Sequence, residues 1–257
     1  MLRKIHFFSR NLFQIVLVGT LLSSCGSKKD VVYFQDISDY ETIVAKNQFS
    51  SKFKVDDLVS INVSTYDPEA SAPFNLFRGA AEGGMRPEQV DYLINSTGEI
   101  NFPVIGKLKI VGLSPEELGI LLTKELEDYL KNPIINIRLK NFRVTVLGEV
   151  RRPGSYFVPG ERITIFEALG LAGDLTIKGM RKNVTVIRDF NGTKVSTKID
   201  LTKKESLSSS VYYLTQNDIV YVEPNKSAVT SSSLDSRTTI SISILSLLIT
   251  STILLIR

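Results

Sequence analysis

Apolar segments lie near both ends of this chain and flank a body whose apolar residues alternate as they do in β-strands. The first segment runs from Leu12 to Leu22 and the last from Ile240 to Ile256. Between Phe53 and Pro224, short alternating runs are separated by Gly, Pro and Asn turns, with helical spacing in two places. This pattern predicts two small α+β domains held between two apolar ends.

The first apolar segment has the features of a secretory signal. Three basic residues, Arg3, Lys4 and Arg10, accompany its start, and small residues follow it. The run is shorter than the roughly 20 residues that a membrane span needs. We therefore predict a signal peptide at residues 1–24, with an uncleaved signal-anchor as the alternative.

The end of this segment, Leu22-Ser23-Ser24-Cys25, resembles the lipobox of bacterial lipoproteins, in which the cysteine is acylated and becomes the first mature residue. Acyl chains contribute about 0.8 kcal/mol per buried CH₂, so an acylated Cys25 would be a durable membrane anchor. Gly26 stands where many lipoproteins of the inner membrane have Asp, which favours the outer membrane. We predict lipidation, with palmitate as an acyl group, at Cys25 and a polar tether over residues 25–52.

The distribution of cysteine and histidine excludes most enzyme classes. The chain has one of each, Cys25 and His6, so its body can form neither a Ser-His-Asp triad, nor a His/Cys zinc site, nor an intramolecular disulfide. Three of the four net positive charges would leave with the signal peptide, which argues against nucleic-acid binding. The remaining acid pairs, Asp56-Asp57 and Glu116-Glu117, are explained by strand alternation and by a helix N-terminus. We predict no enzymatic activity, no metal and no cofactor.

The last segment predicts a single transmembrane helix at residues 239–257, after a polar linker at residues 225–238. Its uncharged stretch would be about 25 Å long as a helix, enough for a thin bilayer. A β-strand over residues 241–244, where Ser and Ile alternate, is the less favoured alternative.

Hydroxyl side chains in this segment repeat at helical spacing and form one stripe. In a ring of helices they would line a pore or contact neighbouring helices. The stripe consists of Thr239, Ser243, Ser246 and Thr250, and the positions predicted to face lipid are Ile240, Ile244, Leu248 and Leu255. The alternative is a plain anchor whose hydroxyls bond the carbonyls of their own helix.

The first predicted domain, residues 53–140, combines strands with one amphipathic helix. A strand up to Val63 and a hairpin around residues 95–98 precede the helix. Ser114 as N-cap, Pro115 at the first position and two acids in the first turn mark the helix start.

The second predicted domain, residues 141–224, has the order hairpin, helix, hairpin and strand, which indicates a β-grasp. Thr164 and Glu167 predict a capping box at the start of its helix, and Gly173 predicts the end. The closing strand follows Asn217.

The motifs of the two domains resemble those of bacterial outer-membrane polysaccharide exporters of the Wza type. Residues 98–106 (GEINFPVIG), 112–117 (GLSPEE) and 129–133 (YLKNP) are similar to the polysaccharide-export domain. Residues 146–150 (VLGEV), 153–156 (PGSY), 168–173 (ALGLAG) and 216–222 (QNDIVYV) are similar to the SLBB domain, a soluble-ligand-binding β-grasp. The chain has Asp56 and Asp174 where the family motifs usually have glycine, and one SLBB-like unit where the best-known members have two.

The resemblance implies a lipid-anchored ring of identical subunits that passes capsular or exopolysaccharide across the outer membrane, with its domains in the periplasm. It implies an inner-membrane polysaccharide co-polymerase as partner, in keeping with the lack of a nucleotide-binding fingerprint in the chain. The alternative is a lipid-anchored SLBB module that binds a glycan or a partner without acting as a channel. Tyr212, Tyr213 and Tyr221 are candidates for stacking on sugars, or alternatively packing residues.

Overall fold

The computed structural model describes residues 28–43, 51–79, 87–190, 192–233 and 236–255. The predicted signal peptide and Cys25 lie outside these residues. The α-helices of the described chain are α1 (Pro68–Ser71), α2 (Pro115–Leu126), α3 (Ile165–Leu171), α4 (Lys226–Ser233) and α5 (Ser236–Leu255), with short 3-10 turns at Lys28–Asp30, Ala72–Phe74 and Lys204–Ser208.

Fourteen strands accompany these helices in the described residues. In chain order they are β1 (Leu58–Ser64), β2 (Phe77–Arg78), β3 (Glu88–Gln89), β4 (Tyr92–Leu93), β5 (Glu99–Phe102), β6 (Gly106–Lys109), β7 (Ile134–Leu139), β8 (Arg143–Gly148), β9 (Gly154–Phe157), β10 (Ile163–Thr164), β11 (Gly179–Phe190), β12 (Thr193–Ile199), β13 (Tyr213–Leu214) and β14 (Ile219–Pro224).

The first domain packs helix α2 against a three-stranded sheet in the order β4-β1-β7. Alternate residues of β1, Val59, Ile61 and Val63, are buried because a strand turns every second side chain to the same face. They share one core with the buried leucines of α2. The helix begins where the sequence predicts, and Ser114 and Glu117 also form a capping box.

One predicted pairing in this domain differs from the structure. Residues 95–98 do form a tight turn, in which Gly98 N donates to Asn95 O at 2.9 Å. Strand β4, however, pairs with β1, and β5 pairs with β6 as an antiparallel hairpin. The turn lies where the sequence predicts it, but the tertiary core decides which strands pair.

The second domain has a mixed five-stranded sheet in the order β12-β11-β14-β8-β9, in which only β14 and β8 are parallel. Helix α3 packs its buried side chains, Ile165, Ala168 and Leu169, into the core of this sheet. The predicted capping box of Thr164 and Glu167 is present. At Gly148, where φ is 90°, a Cβ would lie 2.0 Å from Val222 O, so only glycine permits the close approach of β8 and β14.

Helix α5 corrects the predicted fold class. The described chain is α+β and its C-terminal segment is helical, but none of the helices in the described residues is long and apolar enough to cross a membrane. Half of the residues of α5 are Ser, Thr or Arg, which dilutes its apolar character. The prediction of a C-terminal membrane helix is therefore wrong.

Candidate functional site

The described N-terminal residues 28–43 pack on the second domain rather than on the first, which follows them in the chain. Gln35 N donates to Thr202 O at 2.7 Å, and Phe34 N donates to Leu201 O at 3.4 Å. Two ion pairs add to these contacts, Lys182 with Asp30 at 2.7 Å and Lys204 with Glu41 at 2.6 Å. The hydrogen bond from Lys204 lowers the pKa of Glu41. We call residues 28–43 the N-terminal strap.

Tyr33 connects the strap to two residues of the second domain, Asp174 and Arg181. Its hydroxyl donates to Asp174 Oδ1 at 2.5 Å, and its ring centroid lies 5.6 Å from the guanidinium carbon of Arg181. Burial, followed by the contact with Asp174, raises the pKa of the Tyr33 hydroxyl. The strap is thus attached by a hydrogen bond and a cation–π contact between residues far apart in sequence.

Asp174 occupies a backbone position that favours glycine. Its φ is 68°, and Asp56, the other aspartate at a position where the family motif usually has glycine, has the same φ of 68°. A non-glycine residue in this left-handed region costs about 1–2 kcal/mol. At Asp174 the side chain offsets that cost by accepting hydrogen bonds from Tyr33 and from Leu175 N.

Five rings form a continuous aromatic row where the strap meets the second domain. Phe34 and Phe166 are 4.9 Å apart, Phe166 and Tyr212 are 6.2 Å apart, and Tyr212 and Tyr213 are 4.9 Å apart. Tyr33 extends the row from Phe34 and Phe166. All five rings are half-buried.

This aromatic row combines two of the tyrosines singled out in the sequence with three rings that the sequence reasoning missed. Tyr221 lies apart, on β14 beside Gly148. Arg162 lies at the far end, with its guanidinium carbon 5.5 Å from the Tyr213 centroid. Half-buried aromatic rings with a cation at the end offer both an apolar face and a polar rim to a ligand.

The junction between the two domains is a network of hydrogen bonds. Asn141 accepts from Leu58 N at 2.9 Å and donates to Asp56 O at 2.9 Å, and Gln216 donates to Asn141 O at 2.7 Å. Lys54 Nζ reaches across from the first domain to donate to Gln216 O at 3.0 Å. Leu139 packs against both cores.

The acid pair Asp56-Asp57 belongs to this junction. Asp57 is completely buried, and its Oδ2 accepts from Lys54 N at 2.8 Å. Burial raises the pKa of Asp57 to about 6, and burial likewise lowers the pKa of Lys54. Glu117 of the second pair caps α2. One carboxylate of each pair, that of Asp57 and that of Glu117, thus has a structural role. In the described part of the chain no group of three or more metal-binding side chains is found.

The C-terminal sites predicted from sequence lie on helix α5. Ser246 Oγ donates to Ser243 O at 2.8 Å and Thr250 Oγ1 donates to Ser246 O at 2.7 Å, so these hydroxyls bond carbonyls of their own helix. Ile240 and Ile244 are exposed. Thr239, Leu248 and Leu255 lie on the helix, but their side chains lie outside the described part. The pore-lining and lipid-facing roles of these residues stay predictions.

A cavity of about 860 Å³ opens where the strap, the start of β11 and the start of α4 meet. Its lining includes Asp30 and Val32 of the strap, Lys178 and Lys182 of the loop and strand, and Lys226 of α4. The segments that lead to both apolar ends of the chain therefore meet at one face of the second domain.

Two family models match the two domains in this order. The model for polysaccharide biosynthesis/export proteins matches residues 45–140, and the SLBB domain model matches residues 143–198. Together they cover more than half of the chain. The chain belongs to the polysaccharide export family of the Wza type. The resemblance drawn from the sequence motifs is thereby confirmed.

Two relatives of this chain carry informative names. The EPS I polysaccharide export outer membrane protein EpsA of Ralstonia solanacearum is 26% identical over 144 residues, which are 54% of this chain and 38% of the relative. The EPS I polysaccharide export outer membrane protein EpsA of Ralstonia nicotianae is 26% identical over 147 residues, 56% of this chain and 38% of the relative. The match spans well under half the length of these relatives.

Proposed function

We propose that this protein exports capsular or extracellular polysaccharide at the outer membrane, as a ring of identical subunits anchored through lipid at Cys25. The order of an export domain and an SLBB domain, within a region similar to two outer-membrane export proteins, carries the proposal. In this proposal the two domains lie in the periplasm, and the protein transports polysaccharide rather than acting as an enzyme.

Helix α5 supports association between copies because it exposes apolar side chains on two sides. At about 100° per residue, Ile240, Ile244 and Leu247 form one flank, and Ile242 and Ile249 form another on the far side. These five side chains are between 53% and 72% exposed. Apolar surface of this kind is typical of protein–protein contact.

Within the predicted hydroxyl stripe, the described residues Ser243, Ser246 and Thr250 lie between the two flanks, about 90° from each. If each flank meets a neighbouring copy, the helices form a ring with the stripe on its inner wall. Ser246 and Thr250 donate within the helix, so their oxygens remain acceptors for water or sugar hydroxyls without an unsatisfied donor. This arrangement suits passage of a polar polymer.

Energy for export has to come from elsewhere, since the chain has no nucleotide-binding fingerprint. We propose an inner-membrane polysaccharide co-polymerase as the partner that supplies polymer to the periplasmic domains. The exposed helical face of the first domain at Gly119, Ile120 and Thr123 is one surface available for such contacts.

A second candidate function, a lipid-anchored SLBB module that binds glycan without transport, is favoured by the aromatic row. Tyr33, Phe34, Phe166, Tyr212 and Tyr213 offer apolar ring faces of the kind on which sugar rings pack.

A deletion strain, whose cells lack this chain, tests the proposed export function. We expect them to retain polysaccharide in the periplasm and to release little, and we expect the full chain to restore release. A chain that ends at Ser236 keeps both domains but lacks most of α5. It separates the two functions, because a channel subunit loses export while a binding module keeps it. Unchanged release in the deletion strain would refute the export function.

A further inference from the structure

The cavity between the strap, β11 and α4 has a cationic wall. Lys178, Arg181, Lys182 and Lys226 line it, against a single carboxylate, Asp30, which pairs with Lys182. The ammonium group of Lys226 makes no hydrogen bond or ion pair with the described residues. Four cations and one carboxylate leave a positive field that favours an anionic ligand.

Arg181 adds a fixed charge to this wall. It is 4% exposed, and its guanidinium donates to Thr176 O at 2.8 Å and to Gly179 O at 2.9 Å. No carboxylate pairs with it in the described part of the chain, and its Nε has no hydrogen-bond partner there. A buried guanidinium held by carbonyls keeps its full positive charge beside the cavity.

Most of the remaining lining of the cavity is apolar, with Asn225 and Ser227 as its other polar side chains. Val31 and Val32 of the strap face Ile177 and Met180. A free inorganic anion gains nothing from such walls, whereas an anionic group attached to hydrocarbon uses both the cations and the apolar side chains.

The cavity lies close in the chain to Cys25, the predicted site of lipid attachment. Asp30 is five residues after Cys25. Five residues of chain reach at most about 18 Å, so a lipid-anchored Cys25 keeps the cavity within that distance of the membrane surface. Asn225 and Lys226, also in the lining, begin the segment that leads to α5.

We propose that this cavity binds the phosphate headgroup and adjoining acyl carbons of an anionic membrane lipid. Lys226 and Lys182 contact the phosphate, and the valines and Met180 contact the hydrocarbon. Bound lipid then holds the strap against α4 and fixes the orientation of the second domain at the membrane. The inference rests on the proposed anchoring at Cys25. Lipid binding is measured on purified protein, so its failure would leave the export function open to its own test in cells.

Binding of a fluorescent short-chain phosphatidylglycerol to the full-length protein in neutral detergent tests this proposal. We expect saturable binding that weakens at least tenfold in the double variant Lys182→Gln/Lys226→Gln. The matched control is Lys107→Gln/Lys109→Gln, which removes two exposed charges from the β5–β6 hairpin of the first domain and leaves binding unchanged. Circular dichroism verifies that both variants fold.

Competition on the wild-type protein provides a second readout that needs no variant. Unlabelled phosphatidylglycerol should displace the probe at far lower concentration than either zwitterionic phosphatidylcholine or inorganic phosphate. Equal displacement by inorganic phosphate would reveal a free-anion site and overturn the lipid assignment. Equal displacement by phosphatidylcholine, or equal binding by the cavity variant, would also overturn it.

Discussion

The two ends of the described chain contact the rest of the molecule in opposite ways. The N-terminal strap carries six charged residues, yet it is attached to the second domain by backbone hydrogen bonds, two ion pairs and the half-buried ring of Tyr33. Helix α5 is the more apolar segment, yet its side chains at Ile240, Ile242, Ile244 and Ile249 remain exposed. The strap is satisfied within one copy of the chain, whereas α5 has apolar surface left for another copy. Whether a terminal segment packs on the second domain thus depends on specific partner residues there, and not on the hydropathy of the segment alone.

A charge on an apolar flank of α5 should have the greatest effect of the changes considered, and it acts on assembly. Ile244→Asp places a charge on an apolar flank of α5 and should abolish association, because a charge buried between helices without a partner is strongly destabilising. Ser246→Asp places the same charge on the stripe and should leave the copy number unchanged while altering transport. Sedimentation velocity in detergent measures assembly, and released polysaccharide measures transport. Equal assembly defects at both positions would refute the flank and stripe assignment.

The junction between the two domains, away from both ends, makes the stability of the protein depend on pH through Asp57. The pKa of Asp57 is raised to about 6 in the folded protein, so its contribution to stability is complete below the unfolded value of 3.8 and is lost as pH rises through 6. The loss is up to about 3 kcal/mol, since one pKa unit corresponds to about 1.4 kcal/mol. Asp57→Asn removes the titrating group.

Urea unfolding at pH 4.5 and pH 7 measures this effect. Between these conditions we expect the free energy of unfolding of Asp57→Asn to gain by up to about 2 kcal/mol relative to wild type, because part of the titration already lies below pH 4.5. Taking the difference between the two proteins cancels the opposite contributions of carboxylates with lowered pKa, such as Glu41 and Asp189. Parallel pH profiles of the two proteins would show that Asp57 does not titrate in this range.

Removing the ring of Tyr33 tests how the strap is attached. Tyr33→Ala should weaken strap attachment by roughly 2 kcal/mol, because the half-buried ring and its hydrogen bond are both lost. Tyr33→Phe keeps the ring and should cost about 1 kcal/mol. Hydrogen exchange of the amides of Phe34 and Gln35, which donate to the second domain, reports the opening directly. Unchanged exchange in Tyr33→Ala would contradict the proposed attachment.

The two aspartates with the same backbone conformation should respond differently to replacement by glycine, and these changes in stability and exchange are the smallest that we expect. Asp56→Gly relieves a positive φ and should stabilise the first domain by about 0.5–1 kcal/mol. Asp174→Gly relieves the same φ of 68° but removes the acceptor for Tyr33, so it should increase exchange in the strap. Thermal unfolding measures the first change and hydrogen exchange the second. Identical behaviour of the two variants would show that Asp174 does not hold the strap.

Local structure could be predicted from sequence wherever its causes are local. The capping box of Thr164 and Glu167 requires residues three positions apart, and the alternation of β1 is contained in seven residues. Helix α4 had a readable signal that was missed, because Asn225 Oδ1 caps it by accepting from Ala228 N at 2.9 Å. The serines that end this helix, Ser231 to Ser233, are typical of a linker, so the sequence favours a linker here.

The strap contact could not be predicted from sequence, because its partners are distant in the chain. Tyr33 and Asp174 are 141 positions apart, and neither position indicates the other. The glycine-to-aspartate departure at Asp174 was visible in the motif, but its meaning depends on the ring that packs there. The predicted span at residues 239–257 failed for another reason, since apolar and hydroxyl residues alternate around α5 in nearly equal numbers.

Mass photometry of the full-length, lipidated protein in detergent shows whether copies of the chain assemble into a ring. We expect one species whose mass is a fixed whole multiple of the 28.6 kDa chain, less the signal peptide and plus the acyl groups, as a closed ring requires. A strict monomer with the lipid and helix α5 intact would contradict the claim that the exposed flanks of α5 join copies into an exporting ring.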